Sequence, residues 1–249
     1  MDANLSSVSF IRHPGYEATK YPLAWDAPDL FPKNSRKLKL EARQGICTFL
    51  RNIQIEKPLR LAQLTATALG IFDLYLNGTR IGTDELKPGW TDYTKRAFTY
   101  SYDITSLLNA SENILAAEVS NGWWSSRISF GYYGYRPVAF CCRIALTYID
   151  GTTETIDTDE SWDVTTDGPI RTSDIWDGFY YDSRIPLPHT LSAASTRVKA
   201  VCYTDHTCQP APLIGPSVGV QTAYNRKPIS AVIYDGIEDD GSERGCIHV

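Results

Sequence analysis

Short stretches in which apolar and polar residues alternate recur along most of this chain. An alternation with a period of two places one set of side chains on a buried face of a sheet and the next on the opposite face. Turn sequences such as Asn77-Gly78 and Asp150-Gly151 separate the stretches, and Asn-Gly is a strong hairpin signal. The pattern predicts an all-β fold, an antiparallel β-sandwich, with strands at 47–55, 59–66, 71–76, 97–102, 114–119, 138–148, 153–157 and 162–166.

Helices are predicted to be nearly absent. No segment keeps a 3.6-residue apolar period over three turns. Residues 103–108 are expected to form a single turn, with Asp103 or Thr105 as its cap.

The same pattern divides the chain into three parts. Residues 1–43 are interrupted by prolines and are predicted to be an irregular lead-in that packs on the sandwich. Residues 44–190 are predicted to form the sandwich itself. Residues 191–249 read as a linker followed by a partial second β-unit, so a few extra C-terminal strands are expected.

Composition narrows the classes of function. The chain has 249 residues, of which 43% are hydrophobic, and its formal net charge is −5. An average apolar content excludes a mostly disordered protein. An acidic chain without basic clusters predicts no nucleic-acid partner and no membrane partner, and no apolar run reaches the length of a membrane span. With 6 Trp and 15 Tyr, a small-molecule or sugar ligand is the expected partner.

The N-terminus and the cysteines bear on location. The first 21 residues carry charges and no apolar core, unlike a signal peptide, which predicts a cytoplasmic protein, or a secreted one if a leader was removed. The six cysteines are too sparse for a disulfide scaffold and are predicted to be mostly free, buried thiols. A bridge between Cys202 and Cys208 is the favoured exception in a secreted protein.

Several motifs follow one another along the chain in a specific order. They are Asn77-Gly78, Lys87-Pro88-Gly89-Trp90-Thr91-Asp92-Tyr93, Asn121-Gly122-Trp123-Trp124, Asp159-Glu160-Ser161-Trp162 and Ser173-Asp174-Ile175-Trp176-Asp177-Gly178. Together, in this order, they resemble the N-terminal β-sandwich of bacterial and fungal α-L-rhamnosidases, over about residues 45–185. The resemblance implies a jelly-roll or galactose-binding-like sandwich.

The resemblance also carries expectations about activity and metal. In that family the module precedes an (α/α)6 catalytic barrel, which is absent here, so this chain is not expected to be a glycoside hydrolase as it stands. Some relatives hold a calcium ion with an acidic or amide pair before the Pro-Gly-Trp motif and with a downstream loop. By position the pair is Asp84 and Glu85, and the downstream loop carries no Asn. Calcium, which takes six to eight oxygen ligands, is the candidate cofactor.

Aromatic residues beside turns are the candidate ligand-binding residues, since pockets combine apolar walls with a few placed polar groups. Trp90 and Trp162 are interpreted as core or turn-packing residues. The predicted ligand-binding set is Trp123, Trp124, Arg127, Tyr132, Tyr133, Trp176, Asp177 and Asp92.

Three functions compete. The first is non-hydrolytic binding of a small ligand, an L-rhamnose-type sugar. The second is a recruited biosynthetic enzyme, a cofactor-independent cyclase or isomerase, including a pericyclic one, that orients a hydrophobic molecule. The third is a purely structural or interaction role. The acid/base candidates for the enzyme are Asp84, Asp92, Asp174, Asp177, Arg127, Tyr132 and Tyr133.

Overall fold

The computed structural model of this chain confirms the all-β expectation. It describes residues 4–16, 46–125, 127–128, 131–132, 136–175, 178–188, 196–212, 220–222, 232–237 and 243–248. Two large sheets share one hydrophobic core, as expected for a sandwich.

Seven strands, numbered in chain order, build the first sheet. They are β1 (Ile11–Arg12), β3 (Leu59–Leu69), β7 (Arg96–Asp103), β11 (Ala139–Tyr148), β12 (Thr153–Asp157), β17 (Val201–Cys202) and β18 (Gln209–Pro212). Their order is β17-β1-β11-β3-β7-β18, and β12 also pairs with β11. All pairings are antiparallel except that of β18 with β7, which is parallel.

Six strands build the second sheet, which is antiparallel. They are β2 (Cys47–Gln54), β4 (Ile71–Leu76), β5 (Thr79–Arg80), β8 (Glu112–Ser120), β13 (Asp163–Thr165) and β16 (Val198–Lys199). Their order is β16-β13-β2-β8-β4-β5.

Four short strand pairs complete the regular structure. They are β6 (Asp84–Glu85) with β19 (Val220–Gln221), β9 (Arg127–Ile128) with β10 (Gly131–Tyr132), β14 (Ile170–Asp174) with β15 (Gly178–Tyr181), and β20 (Val232–Ile237) with β21 (Glu243–His248). The single turn predicted at 103–108 is a 3₁₀ helix, Thr105–Leu107, and Asp103 accepts a hydrogen bond from the Thr105 amide at 2.9 Å.

Aromatic rings from both sheets meet in the core at Phe140 of β11. Its ring centroid lies 5.9 Å from that of Phe49 in β2, 6.3 Å from that of Phe72 in β4 and 5.8 Å from that of Trp162. Trp162 is fully buried, so its interpretation as a core residue is confirmed. These contacts join the sheets through a close-packed interior rather than through backbone hydrogen bonds.

Strand β11 is buried on both of its faces. Cys141 and Cys142 point to opposite faces of the strand, yet both are fully buried. Leu5 and Phe10, from the segment before the first sheet strand, are buried in the same core, and the Cys141 thiol lies 3.7 Å from the Val8 carbonyl. The N-terminal residues that the structure describes therefore cover the outer face of β11. The three-part division of the chain stays a prediction, and residues 17–43 of the lead-in lie outside the described residues.

The Asn77-Gly78 hairpin forms as predicted. Asn77 and Gly78 have φ angles of 52° and 80°, and they connect β4 to β5. Positive φ at both central residues is the signature of a type I′ turn, whose twist matches that of the flanking strands.

The predicted bridge between Cys202 and Cys208 is not formed, because both are free thiols. Strand β17 places Cys202 opposite Ile11, whereas Cys208 is fully buried in the core. Among the described residues, no helix is long and apolar enough to cross a membrane.

Gly70 allows the chain to pass from the first sheet to the second between β3 and β4. Its φ is +140°, which side chains of L-residues rarely permit. A Cβ atom at this position would lie 2.3 Å from the Ser120 carbonyl oxygen and 2.9 Å from Val119 Cγ1. The end of β8 and the start of β4 can approach only because residue 70 has no side chain.

Gly70→Ala is expected to lower the free energy of unfolding by about 3 kcal/mol or more, because the clash is with backbone that cannot rotate away. Gly151→Ala is the matched control: its φ is +84°, but an added Cβ would meet nothing within 4 Å. The control should cost only the backbone strain, about 1–2 kcal/mol. Urea unfolding of both variants measures the difference, and equal losses would contradict the close approach at Gly70.

Candidate functional site

Trp90 is, equally with Phe179, the most exposed aromatic residue that the structure describes. Its relative exposure is 69%, which is unusual for the largest hydrophobic side chain. Its interpretation as a core residue is wrong, and the packing it makes is with another turn residue at the surface. Trp90 follows the Pro88-Gly89 turn, which comes after the short strand β6. That turn is the feature of the sequence from which a surface position could be predicted.

Trp90 stacks on Trp123, a residue of the predicted ligand-binding set. The ring centroids are 5.8 Å apart and the ring planes differ by 7°. Trp123 is half-buried and packs against the core, so it forms the inner layer, with Trp90 as the outer layer. We call this stacked pair the tryptophan platform.

A tight turn after β8 fixes Trp123. The amides of Trp124 and Ser125 donate to the Asn121 carbonyl at 3.3 and 3.2 Å. Gly122, at φ +52°, lies so close to β4 that an added Cβ would be 2.6 Å from the Ile71 backbone nitrogen. The Asn121 side chain donates to the Ser173 carbonyl at 3.2 Å, which ties this turn to β14.

Two buried polar atoms in this turn have no hydrogen-bond partner among the residues that the structure describes. They are Nε1 of Trp123 and Oδ1 of Asn121. Buried polar groups are usually paired, so both atoms are candidates for hydrogen bonds to a ligand.

Trp124 has a different environment from its neighbour. It is only 6% exposed, and its Nε1 donates to the Pro137 carbonyl at 2.9 Å. The Arg136 guanidinium lies 4.9 Å from its ring centroid, and the Tyr93 ring meets it edge-on at 6.0 Å. This placement gives Trp124 a packing role under the platform, and its predicted contact with ligand stays a prediction.

The loop that carries Trp90 is attached to the sandwich on both sides of the tryptophan. On one side Lys87 is fully buried, and its carbonyl accepts a hydrogen bond from the Phe72 amide at 2.9 Å. On the other side the Tyr93 hydroxyl donates to the Gly89 carbonyl at 2.9 Å. Burial lowers the pKa of the Lys87 amine and raises that of the Tyr93 hydroxyl.

Asp92, a predicted site residue, is exposed and organises the turn after Trp90. Its carboxylate accepts a hydrogen bond from the Thr94 amide at 3.1 Å and lies 3.2 Å from the Lys95 amine. Hydrogen bonding by the Thr94 hydroxyl is the main reason that the pKa of Asp92 is lowered. The carboxylate is therefore already occupied by local partners.

The remaining predicted residues are only partly described. Arg127 and Tyr132 lie opposite each other in the β9–β10 pair, and their side chains are outside the description. Tyr133, Trp176 and Asp177 lie outside the described residues. Their part in a site stays a prediction.

The pair predicted to hold calcium, Asp84 and Glu85, forms strand β6 beside the Arg80 guanidinium. Arg80 binds both carboxylate oxygens of Glu85, at 3.0 and 2.9 Å, and also donates to Asp73 at 2.7 Å. The hydrogen bond from Arg80 is the main cause of the lowered pKa of Glu85.

This arrangement does not fit a calcium ion. A cation at Glu85 would replace a guanidinium that already satisfies both oxygens. Within the described ranges, no group of three or more His, Cys, Asp or Glu residues is arranged to hold a metal. Calcium binding stays a prediction that the geometry of Asp84 and Glu85 does not support.

Comparison with known proteins identifies relatives of this domain. A family model for the α-L-rhamnosidase N-terminal domain matches residues 57–207. An α-L-rhamnosidase of Streptomyces avermitilis is 43% identical over 131 residues, which are 51% of this chain and 12% of that protein. One from Alteromonas sp. (strain LOR) is 37% identical over 166 residues, 64% of this chain and 18% of that protein. The chain thus spans less than a fifth of the length of these relatives.

Solved structures agree in fold. The α-L-rhamnosidase of Streptomyces avermitilis, solved in complex with L-rhamnose, matches with a TM-score of 0.61 and 33% identity, over 67% of this chain and 17% of that one. The α-L-rhamnosidase of Dictyoglomus thermophilum matches with a TM-score of 0.67 over 85% of this chain and 22% of that one. The second match, at 24% identity, supports the fold alone.

The stack can be tested with protein that carries 5-fluorotryptophan, since each indole fluorine reports its own surroundings by ¹⁹F NMR. Trp90→Ala should remove one resonance and shift that of Trp123, because the ring current of its stacked partner is lost. The resonance of Trp162, which lies in the core, should not move. If only the Trp90 signal disappears and no other resonance shifts, the platform is not formed in solution.

Proposed function

We propose that this chain, which belongs to the α-L-rhamnosidase N-terminal domain family, binds a sugar of the L-rhamnose type on its tryptophan platform without cleaving it. The observation that carries the proposal is the exposure of Trp90 at 69% while its ring is held parallel to Trp123. A large apolar ring kept in water by a fixed loop is a common feature of binding surfaces.

The chemistry of the sugar suits this surface. One face of a pyranose ring presents C–H groups, which pack on an aromatic ring, while its hydroxyls need polar partners at the edge. L-rhamnose also carries a methyl group in place of the hydroxymethyl of ordinary hexoses, which enlarges its apolar area. The relative from Streptomyces avermitilis was solved with L-rhamnose, and this supports the choice of that sugar as the first ligand to test.

Cleavage of a glycosidic bond is not part of the proposal. Glycoside hydrolysis uses a pair of carboxyl groups on either side of the scissile bond, one of them able to donate a proton. The carboxylates of Asp73 and Glu85 are both bound to Arg80, and that of Asp92 is bound within its own turn. These three groups are engaged in structure rather than placed for acid/base chemistry.

The cyclase or isomerase alternative stays a prediction without a supporting contact. Of its acid/base candidates, Asp84 and Asp92 are placed in local structure, and Asp174 is buried in β14 at 7% exposure. Such an enzyme would require a deep apolar cavity, whereas Trp90, the outer ring of the platform, is 69% exposed.

Isothermal titration calorimetry with L-rhamnose tests the proposal. The protein should bind the sugar in calcium-free buffer, and Trp90→Ala should weaken binding at least about tenfold, equivalent to about 1.4 kcal/mol, because the stacking face is lost. Added calcium should change the affinity little, since Glu85 is paired with Arg80.

Ile149→Ala is the matched control, because Ile149 is also 69% exposed but follows β11 next to the Leu59 end of β3, away from the platform. It should bind like the unmodified protein. L-mannose, which differs from L-rhamnose by one hydroxyl group, tests the role of the methyl group. An absence of heat at millimolar L-rhamnose with and without calcium would contradict the proposal, and so would turnover of a rhamnoside by this chain.

A further inference from the structure

Lys87 carries an amine on a completely buried side chain, which is rare for lysine. Its ammonium nitrogen has no hydrogen-bond partner among the described residues. The nearest carboxylate is that of Asp73, at 3.6 Å, which is too long for a hydrogen bond but close enough for an ion pair. The rings of Phe72 and Tyr102 flank the ammonium group, with centroids at 5.3 and 5.5 Å.

These contacts make Lys87 a poor choice for stability alone. The lysine gives up its hydration for a partner, Asp73, that is itself 34% exposed and already bound to Arg80 at 2.7 Å. Loss of the lysine therefore leaves no uncompensated buried charge, and an apolar side chain of similar size should leave stability equal or higher. Methionine has nearly the same length and would fill the space between Phe72 and Tyr102. The charge at position 87 therefore needs another explanation than packing.

The position of Lys87 in the chain suggests a role for its charge. Its side chain points inward, whereas Leu86 just before it is 43% exposed and Trp90 shortly after it is 69% exposed. Leu86 has a φ of +53°, a strained conformation for a residue with a branched side chain. Such strain persists only where neighbouring contacts fix the backbone, and the Lys87 side chain and carbonyl are the adjacent contacts to the sandwich.

Unlike apolar contact, the attraction between the ammonium group and Asp73 draws the lysine side chain toward one particular carboxylate. It fixes how far the lysine stem enters between β4 and β7, and so how the loop leaves the surface toward Trp90. The hydrogen bond from Tyr93 to the Gly89 carbonyl fixes the loop from the other side. Between these two attachments the Trp90 ring can remain parallel to Trp123.

We propose that Lys87 is a positioning residue for the tryptophan platform: the ion pair between its buried side chain and Asp73 sets the loop that holds Trp90 against Trp123. Its effect on sugar affinity rests on the proposed function, but its effect on the geometry of the stack does not. Lys87 itself contacts no ligand, because its side chain is completely buried.

The test compares Lys87→Met with unmodified protein by urea unfolding and by ¹⁹F NMR of 5-fluorotryptophan. We expect unchanged or higher stability together with a shift or broadening of the Trp90 and Trp123 resonances, the latter toward its position in Trp90→Ala. The resonance of Trp162 should stay in place. A purely structural lysine would change stability and leave the platform resonances where they are, and that result would overturn the proposal.

Asp73→Asn provides a second variant if Lys87→Met does not fold. It keeps the lysine and the shape of its partner but removes the partner's charge, and the asparagine oxygen can still accept the hydrogen bond from Arg80. The platform resonances should move in the same direction by a smaller amount. Unmoved resonances in this variant would overturn the role of the ion pair.

L-rhamnose titration of the same variants separates the two proposals. If Lys87→Met alters the stack and weakens rhamnose binding by a smaller factor than Trp90→Ala, both stand. If the stack changes but neither the unmodified protein nor the variant binds the sugar, the proposed function fails and the positioning role remains. If rhamnose binds equally to both and the stack is unchanged, the positioning role fails and the proposed function remains.

Discussion

Phe140 is the contact through which the two sheets become one core, since its ring meets Phe49 and Phe72 from the second sheet as well as Trp162. Once β11 and β3 are fixed against the second sheet, the chain must leave β3 and enter β4 within a very short distance. Gly70 permits that step by letting β4 approach the end of β8 at Ser120. Trp123 follows the end of β8, which pairs with the start of β4. The loop after β6 returns to that same start of β4, where the Lys87 carbonyl accepts a hydrogen bond from the Phe72 amide, and it carries Trp90.

In the platform, the sandwich holds a tryptophan, a residue type that is normally buried, at the protein surface. Burial of an exposed indole is favourable, so Trp90 stays at the surface only because its loop is held in place. Lys87 and Tyr93 hold that loop. Trp123 is fixed by its turn, and the buried Trp124 supports that turn from below. A surface fixed before a ligand arrives avoids much of the ordering cost of binding, so a small apolar contact can still give useful affinity.

Local patterns predicted the sandwich well because burial acts on each strand separately. Alternation in β4 and the Asn77-Gly78 turn required no knowledge of distant residues, and the core position of Trp162 followed from its place in a motif of the sandwich. The site was harder to predict because it depends on pairs that are distant in sequence. Nothing near Trp90 indicates Trp123 as its partner, and nothing near Glu85 shows that Arg80, brought round by the β4–β5 hairpin, occupies its carboxylate. The sequence alone therefore predicts packing for a tryptophan after Pro-Gly, and a cation site for an acidic pair.

The charged groups around β4 stabilise the structure, whereas the rings of Trp90 and Trp123 form the exposed face. This division of roles bears on which ligands the face can bind. Asp73 and Glu85 are both bound to Arg80, and Lys87 adds a second basic group beside Asp73, so these two carboxylates are engaged within the edge of the sheet. The face that the tryptophan platform exposes is aromatic. A ligand that suits such a face is recognised by shape and by its C–H surface, with polar groups at the rim deciding orientation, and a pyranose meets these requirements better than an ionic substrate does.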